Sequence, residues 1–237
     1  MTLRAQLNEL IHNKHLLTHP FYVAWTEGKL TQDQLRQYAV QYFQNVLAFP
    51  TYVSGVHFNT PHFGGSIAVR QEILENLVSE EQGPRNHPAL WQTFATALGA
   101  TDRELTETAP LPTTENLVNT FRRLCIESPF YAGLAALYVY ESQIPEIAAT
   151  KISGLQQFYG MQDPAAYEFF TVHQTADVWH ADAEMQLIEQ HADSPEKQAE
   201  VLQVAGQAAD ALWQFLDGVY EQYCQDLKAP DRETLPV

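Results

Sequence analysis

The residues with the plainest capacity for chemistry lie in one short stretch, His173-Gln-Thr-Ala-Asp177-Val-Trp-His180. In a helix turning about 100° per residue, Asp177 stands about 40° from His173, and His180 about 20° from it on the other side. Two imidazoles and a carboxylate therefore share one stripe. Ala166, Phe169 and Phe170 before it and Leu187 and Ile188 after it fall on the same stripe, so this side of the helix is turned to the core. Buried without partners such groups are costly, and coordinating a metal ion is one way to offset that cost. Hydrogen bonding to a neighbouring helix would explain any one of these histidines, but the three residues together favour a site.

A metal site on this stripe needs donors from other helices, and two places supply them. Leu134, Leu137 and Tyr138 stand seven, four and three residues before Glu141, which puts that carboxylate on a buried side. Ile73, Leu74 and Leu77 place Glu80 and Glu81 almost equally well, and periodicity does not choose between them. His87 follows a Gly83-Pro84 break, where the chain can fold it back toward that helix end. Oxygen and nitrogen donors without thiolate suit iron or manganese better than structural zinc. Six such donors exceed what one ion with an open position uses, so the set points to a dinuclear centre between helices of a bundle.

The helices that must position these groups are marked by local signals. Leu3, Leu7, Leu10 and Ile11 define a helix over 3–13, and a short aromatic one over 21–27 ends at Gly28. Thr31-Gln-Asp-Gln34 is a capping box opening a long helix in which Pro50 is expected to make a kink. Ser66 is expected to cap a helix over 67–82 after a loop containing Gly64-Gly65. A shorter helix is expected over 88–98, capped by Gly99, and Thr101-Asp-Arg-Glu104 opens a further short turn. A helix over 114–127 follows, then one from Pro129 through a kink at Pro145 to Phe158. Asp163-Pro164 starts the ligand-bearing helix, and Ser194-Pro195 starts the last, which runs to about Cys224. With no alternating strand pattern, the chain reads as an all-α bundle of one domain, residues 1–224, followed by a loose tail, 225–237.

Composition narrows the setting. Twenty-nine acidic against 13 basic residues give a formal charge of -16, which argues against binding nucleic acid or an anionic membrane through a general field. No apolar run approaches the ~20 residues that span a bilayer. The N-terminus lacks the apolar core of a signal peptide, and Cys125 and Cys224 match no metal or redox spacing, so a cytoplasmic location is expected. Cys125 reads as core and Cys224 as lying near a frayed end. His12, His15, His19, His57, His62 and His191 read as caps, loop residues or satisfied core groups, and Glu184 as an acceptor for an imidazole N–H.

The pattern Glu80-x6-His87, Glu141, His173-x3-Asp177-x2-His180 resembles the ligand set of heme-oxygenase-like dimetal oxidases. Asn13-Lys-His, Phe21-Tyr-Val, Ala48-Phe-Pro, Asn86-His87, Ala135-Ala-Leu-Tyr and Tyr140-Glu-Ser-Gln-Ile-Pro carry a further resemblance, to the family of the chlamydial protein associating with death domains (CADD). It extends over nearly the whole length up to the last helix, with a somewhat longer loop here at 58–66. The resemblance implies a seven-helix heme-oxygenase-like (TenA/PqqC-like) bundle, often a homodimer, and selects Glu80 over Glu81. It also implies synthesis of para-aminobenzoate for folate, using dioxygen, an external reductant and an Fe/Fe or Mn/Fe centre. In that pattern Tyr22 falls at the sacrificed tyrosine, Lys151 at the amino donor, and Tyr38 and Tyr140 at neighbouring redox tyrosines.

The residues are compatible with these roles. A tyrosine already holds a ring with carbon opposite oxygen. Lys151 shares a face with Ile144, Ile147, Ala148 and Leu155, where an ammonium is poorly solvated and its pKa falls. Packing for Tyr22 and snorkelling to the surface for Lys151 are the ordinary alternatives. Two competing functions are an oxidase acting on an external small molecule and a non-enzymatic module whose acidic surface binds a basic protein.

Overall fold

The computed structural model describes residues 1–62 and 66–227, and among these there are only helices and connections. Helix α1 (Leu3–Asn13) buries Leu3, Leu7 and Ile11. Helix α2 (Pro20–Thr26) is started by His19, whose Nδ1 accepts the Phe21 N–H and whose Nε2 lies 3.0 Å from Asp217. Gly28 leaves it at φ +65°, a backbone region that glycine enters without steric cost. The Thr31–Gln34 capping box opens α3 (Gln32–Asn59), which continues through Pro50 as expected. Helix α4 (Ser66–Glu81) precedes the Gly83 turn; the Gly64-Gly65 pair and the Ser66 side chain lie outside the described residues.

Helix α5 (His87–Ala97) is capped by Asn86, whose Oδ1 accepts the Ala89 N–H at 3.0 Å, and α6 (Asp102–Glu107) starts at the Thr101 capping box. Helix α7 (Pro112–Glu127) leads to α8 (Phe130–Glu141), in which every residue but Tyr131 is buried. A helix apolar on all sides belongs at the centre of a bundle, and α8 packs against α7, α3 and α9 (Ile144–Gln157), and most extensively against the two long helices that follow. These are α10 (Glu168–His191), entered through a 3₁₀ turn at Pro164–Tyr167, and α11 (Pro195–Tyr223).

Three expectations need correction. The single kinked helix over 129–158 is two helices. The break falls at Ser142-Gln143, because Gln143 Oε1 accepts the Leu16 N–H at 3.0 Å while its Nε2 donates to the Val139 carbonyl at 2.7 Å. Pro145 then sits in the first turn of α9, where its missing N–H costs nothing. The chain is thus cut into more helical segments than seven. Cys224 is not at a frayed end: it is buried beneath a 3₁₀ turn at Gln225–Leu227, where Asp226 accepts from Gln34 Nε2 at 2.7 Å. Residues 228–237 of the expected tail lie outside the described residues.

Candidate metal centre and the adjoining lysine cage

The six expected ligands come from four helices. Glu80 is the penultimate residue of α4, His87 begins α5, Glu141 ends α8, and His173, Asp177 and His180 lie along α10. Glu80, His87 and His173 are all buried, and one ligand atom from each lies within 4.8 Å of the other two. His87 Nδ1 stands 2.7 Å from Glu80 Oε2, yet the pair is not aligned as a hydrogen bond, as befits two groups facing a common point. His173 Nδ1 donates to the Phe169 carbonyl at 2.5 Å, which fixes the tautomer and frees Nε2 as a donor atom. Glu81 is exposed, so burial separates the two glutamates that periodicity left equal.

The remaining three are looser. His180 Nδ1 is 3.8 Å from Asp177 Oδ1 and 4.0 Å from Glu141 Oε1. Both Asp177 oxygens are buried with no hydrogen-bond partner, as is His180 Nδ1. Asn76 Nδ2 donates to Glu141 Oε1 at 3.0 Å and Oε2 at 3.3 Å, a contact that sequence reading missed. Asn76 stands four residues before Glu80, so its place on the same buried stripe was the available signal. Glu184 accepts from no imidazole among the described residues; it lies beside Glu141, close enough for the two carboxyls to share a proton.

The electrostatics of the arrangement favours a bound cation. Burial, reinforced by the Glu80 charge and opposed by the Asn76 hydrogen bond, raises the Glu141 carboxyl to about 8. Burial and then the charges of Glu141 and Glu80 hold Asp177 well above the carboxylate range, and burial with Glu141 does the same to Glu184. Burial, with His87 adding, lowers His173 well below its ordinary value and His180 to about 4. Neutral imidazoles and crowded, orphaned carboxylates fit a cation, which stabilises the ionised carboxylates and uses the imidazole lone pairs.

Phe169 and Trp91 separate this region from a second one. Phe169 packs 4.0 Å from the His173 ring and 4.8 Å from Trp91, and Trp91 lies 5.0 Å from Tyr42. Beyond them Lys151, on α9, is buried and donates to Tyr38 Oη at 2.8 Å; Tyr38 Oη is 3.2 Å from Tyr22 Oη. The Lys151 Nζ lies 5.3 Å from the Tyr22 ring centroid and 4.9 Å from that of Phe170. Burial lowers its pKa to about 7, so near neutrality much of it is free amine. Gly154, one turn on, lets Trp25 close the cage, since a Cβ there would stand 2.7 Å from the indole. Tyr140, beside Glu141, accepts from Tyr42 at 2.8 Å.

A cavity of about 660 Å³ opens at the metal end, lined among others by Asn76, Leu134, Leu137, Trp179, His180 and Glu184. No helix among the described residues is long and apolar enough to cross a membrane.

Residues 36–213, three quarters of the chain, match the family described as iron-containing redox enzymes, so the chain belongs to that family and is a metal-dependent oxidoreductase. Its similarity to individual proteins is sharper. It is 62% identical over 231 residues to the 4-aminobenzoate synthase of Nitrosomonas europaea, covering 95% of this chain and 94% of that one. It is 42% identical to the enzyme of the same name from Chlamydia trachomatis, covering 92% and 91%. Among solved structures, a TenA homologue from Pseudomonas syringae superposes with a TM-score of 0.82 at 19% identity, covering 93% of each chain. A CADD-like protein from Nostoc punctiforme gives 0.76 at 19% identity, covering 93% and 96%. The all-α heme-oxygenase-like fold expected from the sequence is the one observed.

Proposed function

We propose that this protein makes 4-aminobenzoate from its own Tyr22, with Lys151 as the amino donor and dioxygen as the oxidant. The observation that supports this most directly is the placement of the Lys151 amine. It is buried in an aromatic cage with no carboxylate paired to it among the described residues, and it is joined to the Tyr22 hydroxyl through that of Tyr38. A structural lysine is seldom held so.

The metal ligands of the proposal are Glu80, His87, Glu141, His173, Asp177 and His180, holding an Fe/Fe or Mn/Fe pair that would, with an external reductant, activate dioxygen. The chain's own residues do the rest. Tyr22 supplies the ring, its benzylic carbon becomes the carboxylate, and its hydroxyl position receives nitrogen. The aromatic walls exclude water, which keeps Lys151 neutral and nucleophilic. Tyr38, between the two, holds or passes a proton. A homodimer is the proposed assembly.

Tyr22→Phe, loaded with iron and manganese and given reductant and dioxygen, is expected to yield no 4-aminobenzoate while binding metal as the wild type does. In the wild-type protein, mass spectrometry is expected to find the Tyr22 and Lys151 peptides altered. Wild-type product from the Phe variant refutes the proposal. The cavity beside His180 supports a second reading, oxidation of an external small molecule, for which repeated turnover without mass change at Tyr22 is the signature.

A further inference from the structure

Resting on that reading, in which ring and nitrogen both come from the chain, no organic substrate has to enter the protein. A cavity of about 660 Å³ is nevertheless open at the metal end, within the range that holds small organic ligands and far more than dioxygen needs. Neither Tyr22 nor Lys151 lines it. Besides dioxygen, the reactant still to be supplied from outside is the reductant. The walls of the cavity define the kind of donor that fits. Val69 and Ile73 of α4 and Leu134 and Leu137 of α8 are aliphatic. Trp179, 78% exposed, stands at the mouth and offers an aromatic face. Glu72, Glu75 and Asp182 are exposed there, and no lysine or arginine joins them among the described lining residues. The metal ligand His180 and Asn76 also line the cavity. Asn76 is 5% exposed; its Nδ2 donates to Glu141, and its Oδ1 has no hydrogen-bond partner. A buried acceptor of this kind is costly until a donor meets it.

We propose that this cavity binds the external reductant, and that the reductant is an uncharged, planar donor of the hydroquinone class. Its ring suits Trp179 and the aliphatic walls, and its O–H groups suit the Asn76 acceptor and the carboxylates. Oxidation to the quinone releases two electrons and two protons. The electrons pass by way of His180 to two oxidised metal ions, each reduced by one unit, and the protons leave to water at the carboxylate-lined mouth. Anionic donors such as ascorbate are held off by Glu72, Glu75 and Asp182, in a chain whose formal charge is -16.

Anaerobic calorimetry with trimethylhydroquinone and the metal-free protein is expected to show one saturable site, its affinity falling about three- to tenfold in Trp179→Ala. In protein loaded with ferric iron, stopped-flow absorbance at low salt is expected to show faster reduction by trimethylhydroquinone than by ascorbate, a donor of comparable driving force. Combining Glu72→Gln, Glu75→Gln and Asp182→Asn, all at exposed positions, is expected to speed ascorbate roughly tenfold or more and to leave trimethylhydroquinone little changed. No saturable binding to the metal-free protein overturns the proposal. Ascorbate matching trimethylhydroquinone in the unchanged protein overturns it as well, as does unaltered affinity in Trp179→Ala. Ferric reduction is read without any product, so the two readings fail separately. Selective reduction by trimethylhydroquinone in a protein that forms no 4-aminobenzoate upholds the donor site and removes the proposed function instead.

Discussion

The two polar regions on either side of Phe169 and Trp91 are equally buried and oppositely built. On the α10 side, the Asp177 oxygens, His87 Nδ1 and His180 Nδ1 lack hydrogen-bond partners. On the α9 side, Lys151, Tyr38 and Tyr22 satisfy one another, and Tyr42 satisfies Tyr140. A buried polar atom without a partner costs about 1–3 kcal/mol, more if charged, so the first region is incomplete by itself and the second is self-sufficient. Under the proposed function, the contrast separates a place whose donors would hold metal ions from a place that would hold the reactants.

The largest expected effect falls on the incomplete side. Asp177→Ala should weaken metal binding by more than the 10–100-fold typical of losing a group behind a ligand, read by titration calorimetry. In the metal-free protein the same change should raise the melting temperature, because it removes a carboxyl crowded by Glu141 and Glu80. A lower metal-free melting temperature breaks the comparison.

Asn76→Ala should weaken metal binding by roughly 10–100-fold, since it frees the Glu141 oxygens rather than removing a ligand. Unchanged affinity would mean that Glu141 needs no such positioning. On the self-sufficient side the effects are smaller and follow pH. Lys151 titrates at about 7 in the folded protein against 10.5 ordinarily, so between these values the unfolded chain binds more protons and stability rises with pH. Lys151→Met should flatten that rise in urea titrations. A nitrogen-15 titration of the Lys151 amine should show its midpoint near 7, and a midpoint near 10.5 would contradict the buried cage.

What was legible in the sequence was mostly local. The Thr31 capping box and the His173–Asp177–His180 stripe depend on residues three to seven apart, and the helices that carry them formed where the spacing indicated. Glu80 and Glu81 were not distinguishable, because both lie near the edge of the buried arc and only the neighbours of α4 decide which is covered. The break at Ser142-Gln143 was not legible because Leu16, 127 residues away, supplies the hydrogen bond that stabilises it. The Tyr42–Tyr140 pair spans 98 residues and was equally out of reach. Lys151 and Tyr22 stood out only through resemblance, since one apolar face around a lysine does not reveal the cage that closes over it.

The shortness of α2 bears on how a finished product would leave. Tyr22 is the third of seven helical residues, held at the start by His19 and its contact with Asp217. Tyr22 is buried, and a molecule assembled there would be enclosed by Phe21, Trp25 and the rings around Lys151. If 4-aminobenzoate is made from Tyr22 as proposed, its departure would then be a local unfolding event, in which this one short segment lifts from the bundle while the long helices stay folded. Release would be timed by the opening free energy of α2, and the lifetime of the sealed state, rather than the speed of the oxidation, would set how soon 4-aminobenzoate becomes available.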